Sequence, residues 1–253
     1  MKIAIIGYGR MGHEIEGIAL SRGHEIVCRI DPVAEGADFP SVGDAVDAGA
    51  LNHDVCSIDF ALPSAVSANV AGYARAGCRA VVGTTGWDSQ REEVLAPAKN
   101  AGIALVWGSN FSVGANMAVR IAAYSARLAN AAGSYDVGIH ELHHTGKKDS
   151  PSGTAIMLAE EILSATSGKG EIQTETLHRQ IRSDELHVTS GRIGGIPGTH
   201  TVYFDSLADT VEITHRARNR NGFALGAVQA AEWIATTTGV HPVQDFFDDL
   251  FKV

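Results

Sequence analysis

The amino-acid sequence predicts an α/β fold in which a parallel-sheet domain is combined with a second, smaller α+β domain. Apolar segments of strand length alternate with helical segments up to residue 111, which is typical of a parallel sheet with helices on both faces. A glycine-rich turn joins the first of these strands to the first helix. After residue 112, strands follow one another across short turns, which favours antiparallel pairing.

The first part of the chain alternates strand and helix. The predicted elements, in chain order, are a strand at 2–6, a helix at 10–21, a strand at 25–30, a strand within 54–60, a helix after Pro63, a strand within 80–86, a polar helix near 88–100 and a strand at 103–107. The apolar run at 2–6 ends in glycines, so we interpret it as a strand and not as a secretory signal.

The second part begins with a helix and ends in a helical tail. Between them we predict a strand at 135–140, a helix from Ser152 to Ser164, and three strands within LHVTSGRI, THTVYFDS and TVEITHRA. The tail contains FALGAVQAAEWIATT and the amphipathic VQDFFDDLF. We therefore expect a dinucleotide-type domain formed by residues 1–111 and 222–253, and an inserted domain formed by residues 112–221.

Charge and cysteine content exclude several classes of function. The formal net charge of −9 does not favour binding to nucleic acid or to an anionic membrane. Cys28, Cys56 and Cys78 lie in apolar runs without CxxC spacing, which is typical of reduced thiols in a cytoplasmic protein. No run approaches the ~18 apolar residues of a membrane helix. We therefore expect a soluble, cytoplasmic protein.

A glycine motif predicts a dinucleotide site at the first strand–helix turn. The motif is G-x-G-x-x-G, formed by Gly7, Tyr8, Gly9, Arg10, Met11 and Gly12. Its glycines permit the tight turn, the approach of a pyrophosphate and close packing of helix on strand, as in a Rossmann-like domain. Asp31 ends the second strand and is placed to accept hydrogen bonds from the adenine ribose. A plain glycine-rich turn, with Asp31 as a strand-end cap, is the alternative.

The residues around Asp31 favour NADH over NADPH as the cofactor. A carboxylate repels a 2′-phosphate, and Asp31 is followed by Pro32 and not by a basic residue. Arg29 offsets this charge only if its side chain reaches around the strand end. We therefore expect NADH or NADPH to bind, with NADH favoured.

Two later strand ends are candidates for the nicotinamide half of the cofactor. In an open α/β sheet the ligand lies beyond the carboxyl ends of the strands. Small and hydroxyl residues there leave room for the ring and offer hydrogen bonds. The candidate cofactor-binding residues at these two ends are Gly83, Thr84 and Thr85, and Gly108, Ser109, Asn110 and Phe111. Each segment taken alone also fits an ordinary loop.

A block of titratable residues from Glu141 to Thr154 predicts the chemical site. It contains two histidines, two lysines and two acids, and a helix begins where it ends. A helix start beside cationic proton donors suits a small carboxylated substrate. A solvated polar loop before a capped helix is the alternative. Adjacent His143 and His144 point in different directions and no third ligand has a suggestive spacing, so we predict no metal site.

This block resembles the signature of a known enzyme family. Its fixed positions are Glu141-x-His143-His144-x-x-Lys147-x-Asp149-x-Pro151-Ser152-Gly153-Thr154. The pattern resembles that of the 4-hydroxy-tetrahydrodipicolinate reductases, also called dihydrodipicolinate reductases. Segments around Gly7–Gly12, Gly83–Trp87, Ser109–Ser112, Gly198–Val202 and Phe223–Ala227 occur in the expected order, so the resemblance covers essentially the whole chain.

The resemblance implies a reaction and a set of roles. The reaction is the NAD(P)H-dependent reduction of a cyclic dicarboxylate to tetrahydrodipicolinate, in the diaminopimelate route to lysine. His143 and Lys147 would be the proton-donating pair, and His144, Gly153 and Thr154 would bind the substrate carboxylates. Chemistry alone leaves Lys148 open beside Lys147. The resemblance also implies a homotetramer assembled through the sheets of residues 112–221, the substrate-binding and oligomerisation domain.

The chain departs from many members of this family in two places. Its first glycine loop is shorter, and Thr199 stands where many members carry an acid.

Two other functions are alternatives to the one that the resemblance implies. Another two-domain amino-acid-pathway dehydrogenase, of the aspartate or diaminopimelate type, would need a different substrate loop. A non-catalytic nicotinamide sensor would not need proton donors beside an anion-binding helix start.

Overall fold

The computed structural model describes residues 1–252, which divide into two compact units. The first unit contains Met1–Val113 together with the described residues from Arg220 onward, and the second contains Gly114–Asn219. Both units contain a sheet with helices packed against it. The expected α/β class, with a Rossmann-like parallel sheet and a second α+β part, is confirmed.

The elements, in chain order, are β1 (Lys2–Ile6), α1 (Arg10–Ser21), β2 (Glu25–Ile30), α2 (Val42–Asp47), β3 (Val55–Asp59), α3 (Val66–Ala76), β4 (Arg79–Val82), α4 (Arg91–Ala101), β5 (Leu105–Trp107), α5 (Val113–Ala132), β6 (Asp136–His143), α6 (Gly153–Ala165), β7 (Glu171–Gln173), β8 (Glu185–Arg192), β9 (Thr199–Asp205), β10 (Thr210–Arg216), α7 (Asn221–Ile234), β11 (Val240–Pro242) and α8 (Val243–Leu250). One-turn 3₁₀ helices at Pro63–Ala65 and Asp88–Gln90 precede α3 and α4.

The sheet of the first unit has six strands in the order β11-β5-β4-β3-β1-β2, and all neighbours are parallel. The chain moves from β1 to one side and then returns to place β3 on the other side. This reversal of strand order opens a crevice beyond the carboxyl ends of β1 and β3, where open α/β sheets bind ligands. The sixth strand, β11, lies in the tail that we predicted to be helical, because three residues are too few to show a strand period.

Alternate residues of the central strands face two separate cores. Ile3 and Ile5 pack with α1, α7 and α8, whereas Ala4 and Ile6 pack with α2, α3 and α4. Both faces of β1 are therefore buried, which explains its continuous apolar sequence. Each fully buried isoleucine contributes about 1.5–3 kcal/mol of hydrophobic stabilisation.

The second unit has a mixed sheet in the order β10-β9-β6-β8-β7. The antiparallel pairing expected after residue 112 holds for β9 with β10 and for β6 with β9. It is wrong for β8, which pairs in parallel with β6 and β7 and not with β9. The reason is that α6 lies between β6 and β8 in the chain, and a crossover helix returns the next strand in the same direction.

One face of this second sheet is covered by α5 and α6. Val119 and Ala122 from α5, and Leu158 and Ile162 from α6, form a core with alternate residues of β6, β8 and β9. None of the helices in residues 1–252 is both long enough and apolar enough to span a membrane.

Candidate active site

The first glycine motif forms the turn between β1 and α1. Gly7 has φ +84°, and a Cβ there would lie 2.6 Å from the carbonyl oxygen of Phe60. A Cβ on Gly12 would lie 2.5 Å from the carbonyl oxygen of Gly7, so this glycine lets helix and strand approach closely. Gly9 has open space around its missing Cβ and precedes α1 without a side-chain cap. The loop therefore fits a pyrophosphate, which would approach Gly9 and the start of the helix.

The other residues of the motif differ in exposure. Arg10 is exposed, whereas Met11 packs partly against the core of the first unit. Tyr8 is 9% exposed, and its hydroxyl donates to a carboxylate oxygen of Glu16 on α1. This hydrogen bond raises the pKa of the Tyr8 phenol.

Asp31 fastens the glycine loop to the end of β2. One carboxylate oxygen accepts the backbone N–H of Tyr8 at 2.9 Å. The other accepts the backbone N–H groups of Val33 at 3.0 Å and Ala34 at 2.9 Å. A carboxylate has about four acceptor sites, so Asp31 keeps capacity for a ribose hydroxyl.

Arg29 is held between two carboxylates beside this loop. Its guanidinium donates to Glu16, with Nε at 3.1 Å from Oε1, and lies 3.6 Å from Asp38. Its Cζ lies 5.6 Å from the ring centroid of Tyr8. The hydrogen bond from Arg29 lowers the pKa of Glu16, so the pair is charged at neutral pH.

The two later candidate segments lie at the carboxyl ends of β4 and β5. A Cβ on Gly83 would lie 2.2 Å from the ring of Phe60, and one on Gly108 would lie 2.3 Å from Val243. Both glycines are therefore required by packing. The exposed candidates are Thr85 and Ser109, and the buried ones are Thr84, Asn110 and Phe111.

Sequence reasoning missed Asp59, a fully buried acid at the end of β3. Its carboxylate accepts hydrogen bonds from the Ala61 backbone at 3.0 Å, Asn69 at 2.9 Å, Tyr73 at 2.8 Å and Thr84 at 3.2 Å. Burial raises the pKa of Asp59, and these hydrogen bonds oppose that rise. The side chain thus joins β3, α3 and the segment after β4 at the rim of the crevice. The sequence did offer a signal for Asp59, because it is an acid at the end of an otherwise apolar strand.

The titratable block spans the end of β6 and the start of α6. Ser152 is the N-cap of α6, and its hydroxyl accepts the backbone N–H of Ala155 at 3.2 Å. Gly153 and Thr154 form the first turn, with open space around the missing Cβ of Gly153. The helix start therefore offers the positive end of a dipole to a bound anion.

Glu141 lies at the centre of this block and is fully buried. Oε1 accepts the backbone N–H of Ser152 at 3.0 Å and the hydroxyl of Ser190 at 2.9 Å, and Arg192 donates to it at 3.2 Å. Burial alone would raise the pKa of Glu141. The neighbouring His200 and the hydrogen bonds from Ser152 and Ser190 outweigh burial and lower the pKa of Glu141 well below its ordinary value. The group is therefore a buried carboxylate at neutral pH.

His143 ends β6 and is 6% exposed. Its Nδ1 lies 3.2 Å from Oε2 of Glu141, and its ring packs edge-on against His200 at a centroid distance of 5.1 Å. Burial lowers the pKa of His143 to about 4; Glu141 opposes this shift, and His200, Lys147 and Arg192 add to it. The imidazole is therefore neutral in the free protein at pH 7.

The remaining predicted residues lie in the loop after β6. Lys147 is half-buried, and its Nζ donates to Asp149 at 2.7 Å and 2.9 Å. Lys148 is exposed, whereas His144 is half-buried beside Gly146. Lys147 is near enough to His143 to influence its pKa, so the two proposed donors share one site.

The structure adds Ser190, Arg192 and His200 to the site, from β8 and β9. Sequence reasoning missed them because they lie about 50 to 60 residues beyond Glu141 and reach it only through strand pairing. His200 Nε2 lies 3.1 Å from the Ser152 hydroxyl and 3.5 Å from Oε2 of Glu141.

Glu141, His143 and His200 also form a possible metal site, since their candidate ligand atoms all lie within 4.8 Å of one another. The third ligand that the sequence did not reveal is thus supplied by β9. The guanidinium of Arg192 already contacts the same carboxylate at 3.2 Å. A divalent cation would have to lie beside this positive charge, which disfavours metal binding.

Comparisons with known proteins cover the whole length of the chain. Family models for the N-terminus and the C-terminus of dihydrodipicolinate reductase match residues 1–111 and 114–247. A 4-hydroxy-tetrahydrodipicolinate reductase from Christiangramia forsetii is 38% identical over 252 residues and covers 100% of both chains. One from Archaeoglobus fulgidus is 36% identical over 262 residues, covering 98% of this chain and 100% of the relative.

A solved structure shares the fold. It is a dipicolinate-bound dihydrodipicolinate reductase from Paenisporosarcina sp. TG-14, with a TM-score of 0.77 and 22% identity. The match covers 97% of this chain and 98% of that chain.

Proposed function

The chain belongs to the dihydrodipicolinate reductase family, and on that premise we propose that it reduces the product of dihydrodipicolinate synthase to tetrahydrodipicolinate with NAD(P)H. It is an NAD(P)H-dependent oxidoreductase of the diaminopimelate route to lysine. The substrate, 4-hydroxy-tetrahydrodipicolinate, loses water to give dihydrodipicolinate. Addition of one hydride and one proton then completes the reduction.

The observation that supports this proposal is the placement of proton donors beside the start of α6. His143, Lys147 and the amide groups of the first helical turn come from one short stretch of chain. A dicarboxylate ring needs anion-binding groups to orient it and a donor to protonate it. Reduced nicotinamide supplies the hydride when it is bound.

We assign His143 and Lys147 as the proton-donating pair, and His144, Gly153 and Thr154 as carboxylate-binding residues. The free His143 is neutral, so it must gain a proton before it transfers one. A bound dicarboxylate adds two negative charges near the ring, and negative charge favours the imidazolium. Substrate binding therefore promotes protonation of the donor. Lys147 supplies a second positive charge close to the same anion.

We assign cofactor binding to residues 1–111 and 222–253, at the crevice formed by Gly7–Gly12, Asp31 and the segments after β4 and β5. The start of α1 and the open space at Gly9 suit the pyrophosphate. NADH is favoured over NADPH, since Asp31 would repel a 2′-phosphate. Arg29 is engaged by Glu16 and does not offset that repulsion.

We assign residues 112–221 to substrate binding and to assembly of a homotetramer. Support comes from the sheet face opposite α5 and α6, where His140, Thr189 and Tyr203 are half-buried and lie outside the core of this unit. Such a face is available to a second copy of the chain. The protein acts in the cytoplasm, which agrees with three buried, unpaired cysteines.

A coupled assay tests the reaction. The purified protein is mixed with dihydrodipicolinate synthase and its substrates, and NADH oxidation is followed by absorbance. We expect oxidation that depends on both enzymes. Absence of oxidation above background, with NADPH as well as with NADH, would remove the proposed reaction.

Two substitutions test the donors. His143→Ala and Lys147→Ala should each lower kcat by about 10²-fold or more, since positioned proton donors contribute 10²–10⁴-fold. NADH binding, measured by fluorescence titration, should persist. Lys148→Ala is the matched control because it removes an adjacent, exposed lysine. Near-normal turnover of either donor variant would contradict its assignment.

A further inference from the structure

Glu141 is a buried carboxylate whose two oxygens face different parts of the site. Oε1 is engaged by Ser152, Ser190 and Arg192. Oε2 faces Nδ1 of His143 at 3.2 Å and Nε2 of His200 at 3.5 Å. A buried charge without partners is strongly destabilising, so a carboxylate that is 0% exposed depends on the hydrogen bonds to Oε1, whereas Oε2 makes no hydrogen bond and faces the two imidazole nitrogens.

The contact with His143 has a consequence for the chemistry. Nδ1 and Oε2 lie 3.2 Å apart but are not aligned as a hydrogen bond. A neutral imidazole carries one N–H, and a carboxylate this close to Nδ1 favours the tautomer with the proton on that nitrogen. Nε2 is then the nitrogen that gains and transfers a proton. A Cβ on Gly198 would lie 3.0 Å from Nε2, so only glycine leaves this edge of the ring uncovered.

Through its contact with Ser152, the same carboxylate also reaches the anion-binding part of the site. Ser152 is the N-cap of α6, and Oε1 holds its backbone N–H while its own hydroxyl contacts His200. The donor at the end of β6 and the start of α6 are therefore connected through one side chain. A shift of Glu141 would displace both.

Resting on the proposed role of His143, we propose that Glu141 is the positioning residue of this site, orienting His143 for proton transfer through Nε2 and fixing the start of α6 that receives the substrate carboxylate. The groups that face His143 are Glu141 on its own strand, Lys147 in the following loop, Arg192 on β8 and His200 on β9. Glu141 supplies the negative charge among them, so it stabilises the imidazolium that forms when substrate binds.

Glu141→Gln tests this role, because it keeps the shape and an acceptor for Ser152 but removes the charge. We expect kcat to fall by about 10²-fold or more while NADH binding is unchanged. In the pH profile of kcat, the limb that reports the loss of the protonated donor should move to lower pH by about one unit or more. An unchanged pH profile would overturn the proposal.

Glu185→Gln is the matched control. Glu185 is also a buried acid of the second sheet, 1% exposed. It is the first residue of β8 and is paired with Arg179 and Arg182 in the segment before that strand. Loss of this charge should reduce stability but leave the pH profile as in the parent protein. An equal displacement of the profile in both variants would mean that the effect is structural, and would overturn the proposal.

A measurement on the unaltered protein keeps the test independent of folding of the variants. In ¹⁵N-histidine-labelled protein without substrate, His143 should carry its proton on Nδ1, with His143→Gln used to assign the signal. A proton on Nε2 would overturn the proposal, as would one equivalent of a bound divalent metal that Glu141→Gln lacks. If the tautomer is as expected but His143→Ala retains normal turnover, the donor assignment has failed and not the contact with Glu141.

Discussion

At the scale of single residues, the cofactor site depends on which hydrogen-bond donors Asp31 and Glu16 engage. Asp31 accepts backbone N–H groups and stabilises the glycine loop, whereas Glu16 accepts from Arg29 and Tyr8. Arg29 lies against the ring of Tyr8, whose backbone N–H donates to Asp31. The sequence showed Arg29 near Asp31, but only the structure reveals that Glu16 engages it.

This pairing makes a prediction about cofactor preference. Glu16→Gln removes the closer of the two charges that hold Arg29 and leaves Asp38 at 3.6 Å, so the guanidinium becomes more available to a 2′-phosphate. We expect the affinity for NADPH relative to NADH to rise by about 3- to 10-fold, which corresponds to about 1 kcal/mol. Dissociation constants for both cofactors, measured by fluorescence titration, test this ratio.

Glu14→Gln is the control for the cofactor measurement, since it removes an acid from the same helix two residues earlier. We expect it to leave the ratio of the two affinities unchanged. If Glu16→Gln also leaves it unchanged, Arg29 does not reach the position of a 2′-phosphate.

At the scale of secondary-structure elements, two buried acids near the ends of strands connect elements that are distant in the chain. Asp59 ends β3 and joins it to α3 and to the segment after β4, whereas Glu141 joins β6 to β8 and α6. The strands themselves were largely predictable because their apolar periods are clear. The hydrogen bonds that connect these elements were not predictable, since each requires partners that are distant in sequence.

Asp59 therefore makes a prediction about stability. Asp59→Asn replaces an acceptor by an NH₂ group opposite the donors of Asn69 and Tyr73. Buried donors without an acceptor cost about 1–3 kcal/mol each, so we expect the free energy of unfolding to fall by roughly 2–4 kcal/mol. Urea denaturation followed by circular dichroism measures this change. Asp54→Asn, at an exposed position just before β3, should change it little; an equal loss in both would contradict the role of the buried contacts.

At the scale of the whole molecule, buried histidines couple stability to pH. The pKa of His143 is about 4 in the folded protein, below its ordinary value near 6.5, and burial also lowers the pKa of His215. Between about pH 4 and 6.5 the unfolded chain therefore binds protons that the folded chain does not. Stability rises with pH in this window and is lost as the pH falls through it.

Substitution of His143 should weaken this dependence. In His143→Gln, the slope of unfolding free energy against pH between 4.5 and 6.5 should decrease by at most one proton, or about 1.4 kcal/mol per pH unit. Urea denaturation at several pH values measures the slope. His53→Gln, which alters a ring that is 83% exposed, should retain the parent slope. A slope in His143→Gln equal to that of the parent protein would contradict the lowered pKa.

The sequence by itself determined the α/β class, the glycine turn after β1, the block from Glu141 to Thr154 and the family. These features are local, because each depends on spacing within one short segment. The tertiary structure decided that β8 runs parallel to β6, that β11 completes the first sheet, and that Arg192 and His200 join Glu141. Strand pairing brings these residues together across long separations in the chain. The apolar periodicity of one segment does not show which other strand that segment pairs with.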